Sequence, residues 1–413
     1  MKTMLSLFMI GLMFLTGCSG GGGDEPASIQ SEAPTPRSPQ PQPAAQPDML
    51  TVTSQGILRG KANGQGQREI LREPMMNQSN VFMDQGNIVY QRTGQTVDVW
   101  TVKTDGTGDR ALLNTSSAES VQGVSWPWVV FTDSSSEVFY ESLNTGTQAT
   151  FPLAQNTPGV IRFRNGRVMI FTDDKLASDS FTGTDPIIYA RTQALEDPFE
   201  FAAIVEEMLV YRPSTSERPM RSSFASQLMA TPLSGGTPIQ LDSGQYFTWG
   251  GSIGSRVVYA RCPFVSGQGT GPCDVASVLN DGTSLVVLTS HPANEAVQGV
   301  TTNQVIIRRN LSGNDQLIAV PVTGGAETLL MTMTDNEFVE TVVEDTLIVR
   351  RPSGTWSLTL SGTLKQLNNI AGLDGFVPVG NAICSSDPVW CMPLDGSTPA
   401  VKIADTGKVL GTL

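Results

Sequence analysis

Residues 84–113 read Asp84-Gln85-Gly86-Asn87-Ile88-Val89-Tyr90-Gln91-Arg92-Thr93, then Val97-Asp98-Val99-Trp100-Thr101-Val102, a turn at Asp105-Gly106, and Ala111-Leu112-Leu113. The triplet Ile88-Val89-Tyr90 is apolar throughout and built from β-branched and aromatic side chains, which suits a strand buried on both faces. Residues 97–102 form a second alternating run, and Asp-Gly supplies the positive φ of a tight hairpin. Outward from this stretch the triplet recurs as Val129-Val130-Phe131, Met169-Ile170-Phe171, Leu209-Val210-Tyr211, Val257-Val258-Tyr259, Val305-Ile306-Ile307, Leu347-Ile348-Val349 and Ala382-Ile383-Cys384. Its last residues stand at 90, 131, 171, 211, 259, 307, 349 and 384, at intervals of 35 to 48. Several copies follow a short strand-like run, as at Val121–Trp126, Val160–Phe163, Tyr246–Trp249 and Phe338–Val343. Most are trailed by a glycine turn, such as Thr145-Gly146, Gly235-Gly236, Asp281-Gly282, Gly324-Gly325, Ser361-Gly362 or Asp395-Gly396, and then a closing apolar run.

Four short strands per unit make a sheet that cannot hide both faces alone, so the units must stack around an axis. The chain is therefore expected to be all-β, an eight-bladed β-propeller of four-stranded antiparallel blades over 80–413, with seven blades as the alternative. The third unit is the weak point: no glycine turn marks it, and Phe199–Val210 also fits a helix. Residues 50–79 read as transitional, although Leu50-Thr51-Val52-Thr53 has strand chemistry. Either Thr51–Leu58 or Lys408–Leu413 is a candidate for the strand that closes the ring.

The order of strand, triplet, strand, Asp-Gly turn and strand resembles TolB-type propeller repeats. It also resembles propellers with Tyr-Trp-Thr-Asp-like units, through Val130-Phe131-Thr132-Asp133 and Ile170-Phe171-Thr172-Asp173. The likeness spans roughly 80–405 and implies a fold. The Trp-Ser-Pro-Asp-Gly signature of TolB repeats is missing; only Asp84-Gln85-Gly86-Asn87 and Arg164-Asn165-Gly166-Arg167 keep a turn glycine there. The partners of TolB are therefore not carried over.

Residues 1–17 carry Lys2, an apolar run from Met4 to Leu15 broken by Ser6 and Gly11, and Thr16-Gly17 before Cys18. That is a secretory signal, too short to span a bilayer as a helix. Leu15-Thr16-Gly17-Cys18 resembles the lipobox of bacterial lipoproteins, which implies cleavage before Cys18, a thioether-linked diacylglycerol on it and an acylated amino terminus. Ser19 in place of Asp implies sorting to the outer membrane in a Gram-negative cell. Several acyl chains, at ~0.8 kcal/mol per methylene, hold a protein stably where one does not. Residues 18–49 are a Gly/Pro-rich tether with Gly20–Gly23 and seven prolines from Pro26 to Pro47, reading as disordered or extended. Thirty such residues reach roughly 90–100 Å when stretched.

Composition removes several classes of function. Lys and Arg number 26 against 39 Asp and Glu, a net charge of −13, which argues against nucleic-acid partners. The signal holds one Lys and no acid, so the mature chain carries −14. A single histidine, His291, leaves little room for metal or triad chemistry. Of five cysteines, four remain beside Cys18, an even number that suits an oxidising compartment. Cys262 with Cys273, and Cys384 with Cys391, each bracket a second-to-third-strand hairpin, where strand pairing brings Cβ atoms within bridging range. Both pairs are expected to be disulfides.

No catalytic residue, metal site or cofactor is assigned from the sequence. Gly250-Gly251-Ser252-Ile253-Gly254 matches G-x-S-x-G, but lies between two strands rather than on a strand-to-helix elbow. Asp105-Gly106-Thr107-Gly108-Asp109 lacks the oxygen ligands of a dedicated Ca²⁺ loop. Trp126, Trp128 and Trp249 are the rim aromatics that a sugar site would use. Two residues after the triplets stand Arg92, Asp133, Asp173, Pro213, Arg261, Arg309, Arg351 and Ser386, with Arg212, Arg308 and Arg350 one place earlier. On a ring this places Arg92, Arg261, Arg309 and Arg351 on one arc and acids on the opposite one. Such an arc docks an anionic ligand or an acidic protein patch, unless the arginines pair with carboxylates along the blade edges. The resulting expectation is a lipid-anchored envelope propeller, in the outer membrane, that acts as a non-enzymatic protein-docking scaffold. A propeller hydrolase or lyase acting on glycan or peptide, and a small-ligand or ion sensor in the central channel, are the alternatives.

Overall fold

Each apolar triplet lies in the second strand of a four-stranded antiparallel sheet. The structure is a computed structural model; it describes residues 47–413 apart from 74–75, 94–96, 114–118, 133–137, 151–159, 165–166, 172–174, 182–184, 192–201, 213–226, 266–267 and 270. The signal, Cys18 and residues 18–46 of the tether lie outside the described residues, as do Asp133, Asp173 and Pro213. No helix occurs among the described residues, and Phe199–Val210 contributes strands Ala202–Val205 and Met208–Tyr211 instead of a helix.

Among the described residues nine sheets form, not eight or seven. Blades 2 to 9 hold the eight repeats found in the sequence. Blade 1 is assembled from both ends of the described chain: Asp48–Thr53, Gly56–Lys61 and Arg68–Arg72 are joined by Lys408–Thr412, which pairs with Asp48–Thr53 as the innermost strand. Segment 50–79, read as transitional, thus supplies most of a blade. Its second strand carries Met49-Leu50-Thr51, a triplet with no aromatic and a threonine at its end.

The alternation of a strand explains why the triplet is fully apolar. Its outer two residues face the preceding blade and its middle residue faces the next. Ile88 and Tyr90 pack on Leu50, Val52 and Ile57 of blade 1, while Val89 packs with Val121, Val129 and Phe131 of blade 3. Blades 6, 7 and 8 repeat the rule: Val258 meets Val305 and Ile307, and Ile306 meets Leu347 and Val349. By the same criterion the triplets of blades 4 and 9 lie one residue off the expected ones. Met169 takes the middle place in blade 4, and Cys384 does so in blade 9, packed with Met49 of blade 1.

Apolar clusters join blades 4–5, 5–6, 8–9 and 9–1 in the same way. Across seam 3–4, Trp128 and Phe181 stack with centroids 5.5 Å apart. Every seam is therefore filled, and the nine blades close a ring. Fully burying a large apolar side chain contributes about 1.5–3 kcal/mol, so each seam is worth several such contributions.

In blades 6 and 7 the inner strand comes close to its neighbour at the hub because its bulge carries glycine. Blade 6's inner strand, Gln245–Ile253, shifts register between Trp249 and Gly251, and a Cβ on Gly250 would lie 2.7 Å from Val297 of blade 7. A Cβ on Gly299, at the equivalent bulge of blade 7, would lie 2.5 Å from Val342 of blade 8.

Candidate docking face

Every inner strand starts, and every second strand ends, on one face of the ring, here termed the entry face. The four arginines expected to form a basic arc all stand on it, each held by a carboxylate. Arg309 donates from Nε to Glu295 at 2.7 Å, and from Nη1 and Nη2 to the two oxygens of Glu327 at 2.9 and 2.7 Å. Arg351 donates from Nε to Glu337 at 2.5 Å and lies 5.3 Å over Trp356. Arg92 pairs with Glu73 at 2.5 Å and Asp109 at 3.4 Å, its guanidinium 3.7 Å over Trp100. Arg261 sits 3.5 Å from Asp242. Glu73, Asp242, Glu295 and Glu337 all lie at or just before the start of an inner strand, so each pair clasps the entry of that strand to the exit of the second. The sequence held a signal for this that was missed. Glu295 and Arg309, like Glu337 and Arg351, are 14 residues apart.

Burial sets the electrostatics of the clasps. Glu295 is nearly inaccessible, and its carboxyl is pushed above the usual range by burial, which outweighs the opposing pull of Thr289 and Arg309. Arg309 is pushed up in turn, chiefly by its hydrogen bonds to Glu327. In blades 2 and 6 the tyrosine that ends the triplet joins the clasp. Tyr90 donates to Asp109 at 2.7 Å and Tyr259 to Asp242 at 2.9 Å, and both phenols are raised far above their ordinary value, first by burial. The structure thus realises the pairing that the sequence left open, and neutralises the arc one arginine at a time.

The arginines one place earlier behave differently. Arg212 lies 4.4 Å over the ring of Tyr246 and donates to the carbonyl of Phe247. Arg308, paired with Asp315 at 2.5 Å, and Arg350, paired with Glu340 at 2.8 Å, flank Phe338 at 5.9 and 5.4 Å from its centroid. Phe338 is 42% exposed. It borders an open cleft of about 400 Å³ over blade 8 and the links that flank it, lined by Asn336, Phe338, Arg350, Arg351, Pro352, Ala371 and Gly372.

No family model and no curated protein matches the sequence. Among solved structures the chain is similar to a prolyl endopeptidase, at 9% identity over 80% of this chain and 49% of that one, with a TM-score of 0.43. It is also similar to the tricorn protease (8% identity, 86% and 46% covered, TM-score 0.30). A third is a puromycin-hydrolyzing peptidase of Mycobacterium tuberculosis (11% identity, 80% and 57% covered, TM-score 0.38). The chain spans about half the length of these neighbours.

The remaining sequence candidates resolve into structural roles. Ser252 lies within the inner strand of blade 6, paired with Val257, and Gly250 is the close-packing bulge described above. His291 accepts the amide of Ala293 on Nδ1 at 3.0 Å, inside the link between blades 6 and 7. Asp105 caps its own turn, accepting from the amide and hydroxyl of Thr107 at 2.8 and 2.7 Å, and these bonds hold its carboxyl below the usual range. Asp281 with Thr283 repeats the arrangement. Trp126 and Trp128 belong to blade 3 and Trp249 to blade 6, so they form no common platform. Among the described residues no group of three or more His, Cys, Asp or Glu is placed to hold a metal. Both disulfides form: Cys262–Cys273 and Cys384–Cys391, with Cα atoms 4.1 Å apart in each, the latter pair directly opposite in the ladder.

Proposed function

We propose that this propeller is a non-enzymatic docking body of the bacterial envelope, leashed by lipid on Cys18 to the outer membrane, and that it receives its partner on the entry face at blades 7 to 9. One observation carries the reading. Phe338 stands exposed between two guanidinium groups at the mouth of an open cleft, while the four arc arginines of the same face are paired internally. An exposed aromatic beside arginines is the composition of an interface anchor rather than of a folding core. The clasps rigidify the face, so little order has to be gained on binding.

A photo-crosslinking amino acid placed at Phe338 in intact cells tests it, with Thr145 on a third-to-fourth-strand turn as the comparison position. A specific protein adduct is expected at 338 and not at 145. Equal, unspecific labelling at both positions would reject the face. Radiolabelled fatty acid retained by the wild type and lost in Cys18→Ala tests the anchor.

A further inference from the structure

We propose that the cleft over blade 8 binds a carboxylate that carries an adjoining apolar or aromatic group; this rests on the docking reading and names the chemistry of its site. The inference comes from donors left over after the clasps are made. Arg309 uses all three of its nitrogens on Glu295 and Glu327. Arg351 occupies the same place in blade 8, yet spends only Nε, on Glu337. Arg350 is held only by an ion pair, its Nε 2.8 Å from Glu340. Neither Arg350 nor Arg351 gives an η nitrogen to an acceptor among the described residues, and both line the cleft.

The reason lies one strand further out. The residue just before the fourth strand is Asp109 in blade 2 and Glu327 in blade 7, and each reaches back to the arginine of its blade. In blade 8 the ladder places Leu364 there: Ser357 pairs with Lys365 as Ala319 pairs with Thr328 and Thr101 with Arg110. A leucine accepts nothing, so the fork of Arg351 stays open.

Each of these guanidinium groups, with its η nitrogens free, offers at the cleft the planar fork that matches the two oxygens of a carboxylate. Charge favours one negative unit over two. Glu337 and Glu340 already offset the two arginines, and Asp374 adds a further negative charge near Glu340. Phe338, Pro352 and Ala371 provide an apolar flank, and about 400 Å³ falls within the range of small-ligand sites. The carboxylate is either the chain end of an extended peptide or a free small acid.

The test titrates the folded protein with N-acetyl-phenylalanine, its amide, a pentapeptide ending in a free phenylalanine acid, and inorganic phosphate, followed by calorimetry or ligand-observed NMR. The acid is expected to bind at least about tenfold more tightly than the amide, because charged hydrogen bonds are lost. Tighter binding of the pentapeptide assigns a chain end, and equal or weaker binding a free acid; both support the proposal. Equal binding of acid and amide, binding of neither, or preference for phosphate overturns it. Arg350→Gln should weaken the acid about tenfold while the melting curve stays cooperative, and unchanged affinity in that variant also overturns it. The acid-to-amide comparison needs no variant and stands if Arg350→Gln does not fold. Protein adducts at 338 without carboxylate binding would remove this ligand class and leave the docking reading. Carboxylate binding without adducts would do the reverse.

Discussion

Replacing Gly407 by alanine tests whether the ring is held shut by its last strand. Gly407 precedes Lys408–Thr412 and has φ +135, where a Cβ would lie 2.0 Å from the carbonyl oxygen of Val52. That oxygen belongs to the backbone and cannot rotate aside, so the pairing of Val52 with Lys408 must give way. Gly407 is also tied to blade 9, donating to Asp387 and accepting from its amide at 3.0 Å. Unfavourable φ costs an alanine about 1–2 kcal/mol, and an overlap that neighbours must absorb about 1–3 more. The sum, about 2–5 kcal/mol, is a large share of a net stability of order 5–15 kcal/mol. Gly146 and Gly244 have φ +67 and +82 with nothing within 4 Å, so alanine there incurs the conformational cost alone. The three variants are compared by urea midpoint and by amide exchange. Gly407→Ala should show the largest shift, with Leu50, Val52 and Val409 losing protection before blades 6 and 7. Equal midpoints for all three, with blade 1 still protected, would refute closure by this strand.

Arg309→Ala should cost about 3–5 kcal/mol in urea unfolding, because it leaves buried Glu295 without its cation. Adding Glu295→Gln should recover part of that loss; no recovery would mean that the cost is packing alone. For the disulfides, chain entropy predicts similar contributions of about 2–3 kcal/mol. Cys384 and Cys391 also fill seam 9–1, each 3.9 Å from the sulfur of Met49, so Cys384→Ala/Cys391→Ala should lower the melting temperature more than Cys262→Ala/Cys273→Ala. The pH dependence follows from Glu295, whose carboxyl is raised above 4.5 in the fold by burial. The native state then keeps this proton at pH values where the unfolded chain has lost it, so the group's contribution to stability falls as pH rises through that interval. Glu295→Gln should remove that slope on the alkaline side of the ordinary carboxylate range, and identical slopes in the two proteins would contradict the assignment.

The propeller was legible because its triplets share a pattern with a physical cause: a second strand buried on both faces favours apolar side chains at successive positions. Blade 1 does not show the same pattern because its strands are divided between residues 48–72 and 408–412, and its triplet ends in Thr51. Triplets 169–171 and 382–384 were displaced by one residue because apolar character alone does not fix register. The inner-strand bulge does, as in blade 9, where the register shifts between Asp374 and Val377. A marker of that bulge is plain in the sequence: Val121-Gln122-Gly123-Val124 and Val297-Gln298-Gly299-Val300 are identical and both bulge at the same place. The disulfides were legible from hairpin position. The arginines were legible as a repeating place but not as free or paired, since their partners come from strands whose register the sequence leaves open.

That distinction between spent and free guanidinium groups makes one more position informative. Arg308-Arg309 and Arg350-Arg351 are the same dipeptide at the same register of adjacent blades, yet one carries a saturated fork and the other an open one. The difference is one register position, filled by Glu327 just before Thr328–Met333 in one blade and by Leu364, the first residue of Leu364–Gln366, in the other. Leu364→Glu should therefore convert blade 8 to the arrangement of blade 7, drawing the η nitrogens of Arg351 out of the cleft without altering any residue that lines it. Carboxylate affinity should drop about tenfold, as one charged bidentate contact is withdrawn, while adducts at position 338 that depend on the aromatic anchor persist. Loss of an apolar contact at a half-buried leucine lowers stability somewhat, and urea unfolding measures that effect separately from affinity. If the substituted protein binds the acid as the wild type does, the open fork of Arg351 is not what the ligand uses.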